Sequence, residues 1–254
     1  MTLPDGYHSV ESGTALAFAS DPALGWVRDV LTSMTLHESA EGSGDVHAFA
    51  GRGATFAFTP AGVSMPERRW VARHYHRGGA IAAYLGDRYL ASPRPRPWIE
   101  LSASTEARVR GIATPVVVAG ATYANGAFYR ADIVTELVPH SVDLASVIFG
   151  ERGSAADRER ALLLAGRLVR RMETELVQHA DLNATNILIA GPGGNEEAHV
   201  IDLDRCTVAA QNTPISRAMR RRLQRSLVKL GGRSGRPLTE SAWEALRAGR
   251  EDVA

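Results

Sequence analysis

Three residues in the last third of the chain have types and spacing that could do chemistry: Asp181, Asn186 and Asp202. Asp181 and Asn186 lie in His179-Ala180-Asp181-Leu182-Asn183-Ala184-Thr185-Asn186. An apolar run, a turn rich in glycine and a second apolar run then lead to Ile201-Asp202-Leu203-Asp204. Phosphoryl transfer from a magnesium nucleotide needs a carboxylate that accepts or orients the proton of the attacking hydroxyl. It also needs hard oxygen ligands for the metal on the phosphates. Asp181 suits the first task; Asn186, five residues on, and Asp202 suit the second. The two apolar runs around Gly191-Pro192-Gly193-Gly194-Asn195 read as a hairpin, which brings both strand ends to one edge. A single Asp or Asn beside a strand is ordinarily a cap or turn residue. The complete array is far more specific. Asp204 is a further candidate, for metal or for orienting Arg205, and His179 reads as a residue that orients backbone.

The spacing of the first segment is that of a protein-kinase catalytic loop, with Ala180 in place of arginine. The N-terminal half should then supply a glycine loop over the phosphates, a cation on a strand and a carboxylate on a helix. Gly51 and Gly53, between two strand-like runs, are the loop candidates, since glycine lets backbone approach phosphate closely. The third glycine of that pattern is missing, with Phe56 standing there, and the segment also fits an ordinary hairpin turn. Arg73 is the strand cation. Arginine grips phosphate bidentately but is bulkier than the lysine usual at this place, and by itself it fits a solvated strand position. Glu100 is the candidate ion-pair partner, with Glu106 on the same helix as competitor. Glu136-Leu137-Val138 reads as a hinge whose backbone meets adenine. His74, His76 and Arg77 could reach an anionic sugar or simply end a polar strand.

Coarser patterning places these residues on elements. A weak helix is expected from Ala23 to Leu36 behind Asp21-Pro22. Two short runs around Gly51-Arg52-Gly53 and a third ending at Arg77-Gly78-Gly79 predict an antiparallel meander. A helix is expected from Trp98 to Arg110, ending at Gly111, then strands at Val116 and Phe128. Apolar spacing at Leu162, Ala165, Leu168, Val169 and Met172 predicts an amphipathic helix over Arg158–Leu176. The expected division is an N-terminal segment (1–45), a first lobe to the hinge (46–138) and a second lobe (139–254).

The chain has 254 residues, 44% hydrophobic and 22% charged, which is ordinary globular usage and excludes disorder, collagen and coiled coil. Net charge is +1, which gives no reason to expect a nucleic-acid partner. Lys229 is the only lysine, so any function usually given to lysine falls to arginine. Cys206 is the only cysteine, which excludes an intrachain disulfide and fits a reducing cytoplasm. The N-terminus lacks the basic and apolar regions of a signal peptide, and no apolar run reaches the ~20 residues of a spanning helix.

Arg73-His74-Tyr75-His76-Arg77-Gly78-Gly79, Asp87-Arg88-Tyr89-Leu90 and Tyr129-Arg130-Ala131-Asp132 are narrower blocks. Together with the catalytic loop and Val200-Ile-Asp-Leu-Asp-Arg-Cys206, they resemble the Kdo kinase branch of the lipopolysaccharide-core kinase family (Kdo is 3-deoxy-D-manno-octulosonic acid). The resemblance runs from about Gly51 to Lys229. It implies an α+β, protein-kinase-like bilobal fold: a small N-lobe with an antiparallel sheet and one helix, and a larger, mainly helical C-lobe. It implies ATP and magnesium, and phosphorylation of a Kdo hydroxyl, the 4-OH, on a lipid A precursor at the cytoplasmic face of the inner membrane. Asp181 is then the base, Asn186 and Asp202 the metal ligands. Gly51, Gly53, Arg73, Glu100, Glu136 and Val138 are the nucleotide-binding set. Glu100 is preferred over Glu106 because it precedes Gly111-Ile112-Ala113-Thr114-Pro115 by the family's interval, although that block departs from the usual Gly-Leu-Pro-Val-Pro. The alternatives are a kinase of heptose or another hydroxylated molecule, and a binding module that has lost catalysis. Oligomeric state is not legible.

Between Arg205 and Arg236 there are nine basic residues and no acidic one. Arg217, Arg220, Arg221, Arg222, Arg225 and Lys229 fall at helical spacing, which predicts a basic helix. It is expected either to meet an anionic membrane surface, or to sit against the second lobe with its arginines paired to acids or to phosphates of the substrate.

Overall fold

In the computed structural model, eight strands between Tyr7 and Glu136 join into one antiparallel sheet. The structure describes residues 2–49, 55–63, 69–76, 86–151, 153–191, 196–209 and 217–251. Gly51, Gly53 and Arg77 lie outside them. The sheet contains β1 (Tyr7–Ser12), β2 (Ala15–Ser20), β3 (His47–Phe49), β4 (Thr55–Phe58), β5 (Trp70–His74), β6 (Tyr89–Leu90), β7 (Val117–Asn125) and β8 (Phe128–Glu136). Its order is β1-β2-β7-β8-β5-β4-β3, with β6 also pairing β8.

Period-two alternation sends neighbouring residues to opposite faces. Ala17, Ala19, Ala72 and Val134 join one core with Trp26, Leu36, Phe58 and Trp70. Phe18, Ile133 and Val117 join another with Tyr75, Trp98 and Leu101. The first is covered by α1 (Leu24–Val30) and α2 (Leu36–Glu41), the second by α3 (Arg96–Val109). Gly120 permits the close approach on the second face. A Cβ there would lie 2.6 Å from the Phe18 ring and 2.8 Å from Pro97.

Residues 1–105 and 116–137 form one compact unit, and 106–115 with 138–254 the other. The N-terminal segment, 1–45, lies within the first unit: β1 pairs β2, and β2 pairs β7. The expected helix Ala23–Leu36 is two helices. Thr35 accepts from the Glu38 backbone while Glu38 reaches back to the Thr35 N–H, and this capping box starts a new helix at Leu36. Among the described residues the first unit therefore carries three helices where one was expected, and the two units are of equal size.

The second unit contains α4 (Leu144–Phe149), α5 (Ala155–Thr174), α6 (Ala218–Ser234) and α7 (Glu240–Glu251). Its strands are short: β9 (Val142–Asp143), β10 (Val177–His179), β11 (Ile187–Ala190), β12 (Glu197–Val200) and β13 (Cys206–Val208). β11 and β12 are the expected hairpin, paired from Ile187↔Val200 to Ala190↔Glu197. α5 starts at a Ser154–Asp157 capping box and buries Leu162, Ala165, Leu168, Val169 and Met172, the stripe read from the sequence. Gly166 on α5 and Gly249 on α7 let two helix backbones touch. A Cβ on either would strike a carbonyl oxygen of the other helix, Leu246 and Leu163 respectively.

Replacing that contact tests it. Gly166→Ala is expected to destabilise the protein by about 1–3 kcal/mol through overpacking. Gly232→Ala on α6 faces open space and is expected to be neutral or to stabilise by up to about 1 kcal/mol. Urea midpoints compare the two, and equal midpoints contradict the helix contact.

Candidate active site

In the first unit the candidate residues lie on β5 and α3. Arg73, near the end of β5, donates from Nη2 to both oxygens of Glu100, at 3.0 and 2.8 Å. Glu100 is 3% exposed and also accepts from the Tyr75 hydroxyl. The Arg73 guanidinium lies 4.7 Å from the centre of the Tyr75 ring. A carboxylate buried this deeply requires a cation and further donors, and Glu100 has both. Glu106 instead pairs with Arg110 one helical turn away, at 2.9 Å on the surface. The structure thus joins Arg73 with Glu100 and leaves Glu106 as a local surface pair.

His74 does not present a ligand to solvent. Its Nδ1 meets Asp132 Oδ1 at 2.6 Å and its Nε2 meets Asp87 Oδ2 at 3.0 Å. Carboxylates only accept, so a ring bonded to one at each nitrogen is the doubly protonated imidazolium. Asp132 is fully buried and accepts as well from the Tyr123 hydroxyl (2.8 Å) and the His37 backbone N–H (3.0 Å). Burial by itself pushes His74 down, but the hydrogen bonds and charges of Asp132 and Asp87 outweigh it and hold the group above its ordinary value. His76 is shifted the other way, by burial and by the neighbouring His74. Burial and the Asp132 charge raise the Tyr123 hydroxyl. The three narrow sequence blocks meet here, through His74, Asp87 and Asp132, and through the paired rings of Tyr89 and Tyr129, 5.7 Å apart. This network was missed in the sequence. The only signal for it was that the blocks contain acids and histidines with no task of their own.

At the hinge, Glu136 ends β8 with its N–H on the Val116 carbonyl at 2.8 Å, and the Leu137 N–H donates to Arg69 at 2.9 Å. Val138 begins the second unit, where its carbonyl accepts from the Ser141 hydroxyl at 2.9 Å.

The second unit builds the loop from His179 outward. The buried His179 ring accepts at Nδ1 from the Asp181 N–H (3.1 Å), and its Nε2 donates to the Ile201 carbonyl (3.1 Å). One ring therefore ties the loop to the strand end before Asp202. Asn183 Nδ2 and Asn186 Nδ2 both donate to the Asp181 carbonyl, at 3.0 and 3.3 Å. The Ile201 N–H donates to the Asn186 carbonyl at 3.0 Å. Asp202 sits in the left-handed region at φ 66°, ψ 55°, a conformation rare for a non-glycine residue and concentrated at functional sites. Asn186 and Asp202 are thus brought near paired strand ends, and the Asn186 amide nitrogen is committed to the Asp181 carbonyl, so its oxygen is the atom that could meet a cation. Both donors are hard oxygens of the kind magnesium prefers, and magnesium takes few protein ligands beside phosphate. Among the described residues there is no cluster of three or more His, Cys, Asp or Glu able to hold a metal alone.

Asp181 has partners the sequence did not foretell. Arg205 Nη1 lies 3.3 Å from its Oδ2, and Arg222 Nη2 lies 2.5 Å from its Oδ1. Arg222 comes from α6, which is docked on the loop. Met219 Sδ accepts from the His179 N–H, and Ser226 Oγ from the Ala184 N–H at 3.2 Å. Arg220 on the same helix pairs with the buried Glu173.

Residues 51–249 match the lipopolysaccharide kinase (Kdo/WaaP) family. The chain belongs to that family. Similar relatives include three proteins named 3-deoxy-D-manno-octulosonic acid kinase. One, from Stenotrophomonas maltophilia, is 35% identical over 72% of this chain and 69% of its own length. Another, from Photobacterium profundum, is 30% identical over 79% and 80%. The third, from Vibrio cholerae, is 31% identical over 62% of this chain, and the match spans 63% of that relative's length. A solved structure of WaaP in complex with acyl carrier protein superposes with a TM-score of 0.51 over 89% of this chain and 86% of that one, at 18% identity. The fold is the α+β, kinase-like fold the sequence predicted.

The His74 network makes a pH prediction. A histidine raised in the folded state above its unfolded value of about 6.5 contributes stability that is fully present below pH 6.5. That stability is lost as pH rises through the folded value. The difference in melting temperature between the parent and His74→Gln is therefore expected to be largest at pH 6 or below (about one unit under the ordinary histidine value or less) and to shrink toward alkaline pH. A difference that is constant or grows with pH contradicts the imidazolium assignment.

Proposed function

We propose that this protein transfers the γ-phosphoryl group of ATP to a hydroxyl, the 4-OH, of a Kdo sugar on a lipid A precursor. The observation that carries the reading is the loop His179–Asn186, tied through the His179 ring to the strand end at Asp202, in a chain whose relatives are named 3-deoxy-D-manno-octulosonic acid kinase. Asp181 orients the acceptor hydroxyl and takes its proton as the new O–P bond forms and ADP leaves. Asn186 and Asp202 hold magnesium. When bound, the ion would supply positive charge against the charge that develops on the transferring phosphoryl group. Arg73, fixed by Glu100, takes the place of the strand lysine against the ATP phosphates. Gly51, Gly53 and the backbone at Glu136 and Val138 complete the nucleotide set. A binding module that has lost catalysis is disfavoured because Asp181, Asn186 and Asp202 are all retained.

The reading includes reversible attachment to the anionic inner face of the cytoplasmic membrane, where a lipid-anchored acceptor resides. The basic helix is smaller as a membrane surface than its sequence indicated, because Arg220 and Arg222 are engaged within the second unit. What supports the reading is the stripe that remains. Arg217, Arg221, Arg225 and Lys229 recur every four residues, all exposed, beside the exposed Val228. Four such cations near anionic lipid supply about 3–4 kcal/mol.

Mass spectrometry of a Kdo-bearing lipid A precursor incubated with ATP, magnesium and the protein tests the activity. One added phosphate on Kdo is expected, and phosphate on heptose or no transfer contradicts the reading. Asp181→Asn and Asp202→Asn are each expected to lower kcat on the order of 10³-fold or more while leaving the melting temperature near the parent's, since asparagine tolerates the left-handed backbone at 202. Liposome sedimentation tests the attachment. Binding to anionic but not neutral vesicles is expected, weakened by salt and by changing Arg221, Arg225 and Lys229 together to Gln. Salt-independent binding, or none, removes the membrane from the account.

A further inference from the structure

Asp181 lies in two ion pairs at once, one guanidinium on each oxygen. Two guanidinium groups thus share one carboxylate, and the sequence from Arg205 to Arg236 contains no acidic residue. Both side chains are also open, Arg205 at 55% and Arg222 at 45% exposure, whereas Arg220 at 28% is closed onto the buried Glu173. A guanidinium has five N–H donors in a fixed fork, and each of these arginines meets Asp181 through a single nitrogen. The remaining donors are available to a second anion.

The helix that carries Arg222 is not free to wander. Met219 and Ser226 hold α6 to the backbone of His179 and Ala184, within the same loop as Asp181. Arg205 is held by its own backbone, whose carbonyl accepts from the Ala180 N–H at 3.1 Å. Both cations therefore flank the base at fixed anchor points. Exposed ion pairs are weak and exchange partners readily.

We infer that Arg205 and Arg222 form the recognition site for the carboxylate of the acceptor sugar acid, an inference that rests on the functional reading above. Before the acceptor arrives, Asp181 itself occupies both arginines. The acceptor's carboxylate engages their open N–H groups and draws them off at least one Asp181 oxygen, which is then able to accept the hydroxyl proton. A neutral sugar cannot make this exchange and leaves the base in its ion pairs. The site thus couples acceptor charge to activation of the base. His74, a sequence candidate for meeting an anionic sugar, is committed instead to Asp132 and Asp87.

Steady-state kinetics on two acceptors test this: the Kdo-bearing lipid A precursor and its Kdo methyl ester. For the parent, esterification is expected to raise KM for the acceptor about tenfold or more, the loss of a charge-assisted contact, and to lower kcat as well, because the base stays in its ion pairs. Arg205→Gln and Arg222→Gln are each expected to do the same on the acid while leaving KM for ATP within about twofold, and to add little on the ester. Arg222→Lys is expected to recover part of the loss. Equal parental kinetics on acid and ester overturn the inference. So does an equal fall in kcat on both acceptors in the variants, which makes the arginines positioning residues for Asp181 only. A parent that phosphorylates neither acceptor overturns the functional reading itself, and this inference with it.

Discussion

A carboxylate with 3% exposure, Glu100, cannot stay ionised without a cation, and the cation it receives is the residue expected to face the ATP phosphates. This constraint organises the first unit. The pair forms only if β5 and α3 keep their relative placement. That placement is fixed on one side by Phe18, Trp98 and Leu101 in the core, and on the other by the His74–Asp132 network one residue further along β5. Breaking a buried ion pair leaves an uncompensated charge, at a cost of about 3–5 kcal/mol. The sheet, the helix and the second network are thus tied to a single guanidinium position.

The choice of arginine has consequences in both units. A lysine against Glu100 would act as a rotatable point charge. Arg73 bonds both Glu100 oxygens and lies on the Tyr75 ring, which fixes its plane. In the second unit the fork geometry lets Arg205 and Arg222 each hold one oxygen of Asp181 and keep donors in reserve. With one lysine among 29 basic residues, the protein performs its anion chemistry with planar, polydentate groups.

The second unit was the more legible in sequence. The catalytic-loop spacing, the hairpin and the apolar stripe of α5 all follow from local patterns, and all appear where those patterns put them. Glu100 was separable from Glu106 only through the resemblance, because the two sit on one helix and differ in what they face across the sheet. β1 and β2 went unread because Tyr7–Ser12 is polar on its outer positions and Ala15–Ser20 is nearly all small; neither gives a clear alternation. The partners of Asp181 and Asp132 are separated from them by tens of residues. No periodicity predicts such contacts, since they depend on which face of a distant element arrives at the site.

α6 shows how one basic run divides its tasks. Successive helical residues turn by about 100°. Met219, Leu223, Leu227 and Gly231 form the buried stripe. Arg220 and Arg222 stand on opposite flanks of it, so one reaches Glu173 and the other Asp181. Arg217, Arg221, Arg225 and Lys229 are left on the outward side. Charge composition alone assigns the same role to all of these cations. The helical angle separates them into one that closes the fold, one that meets Asp181 and four that face away from the core. A surface on which the acceptor's lipid could rest and an arginine that could read its sugar are therefore carried by the same rigid element, which fixes their separation along the helix.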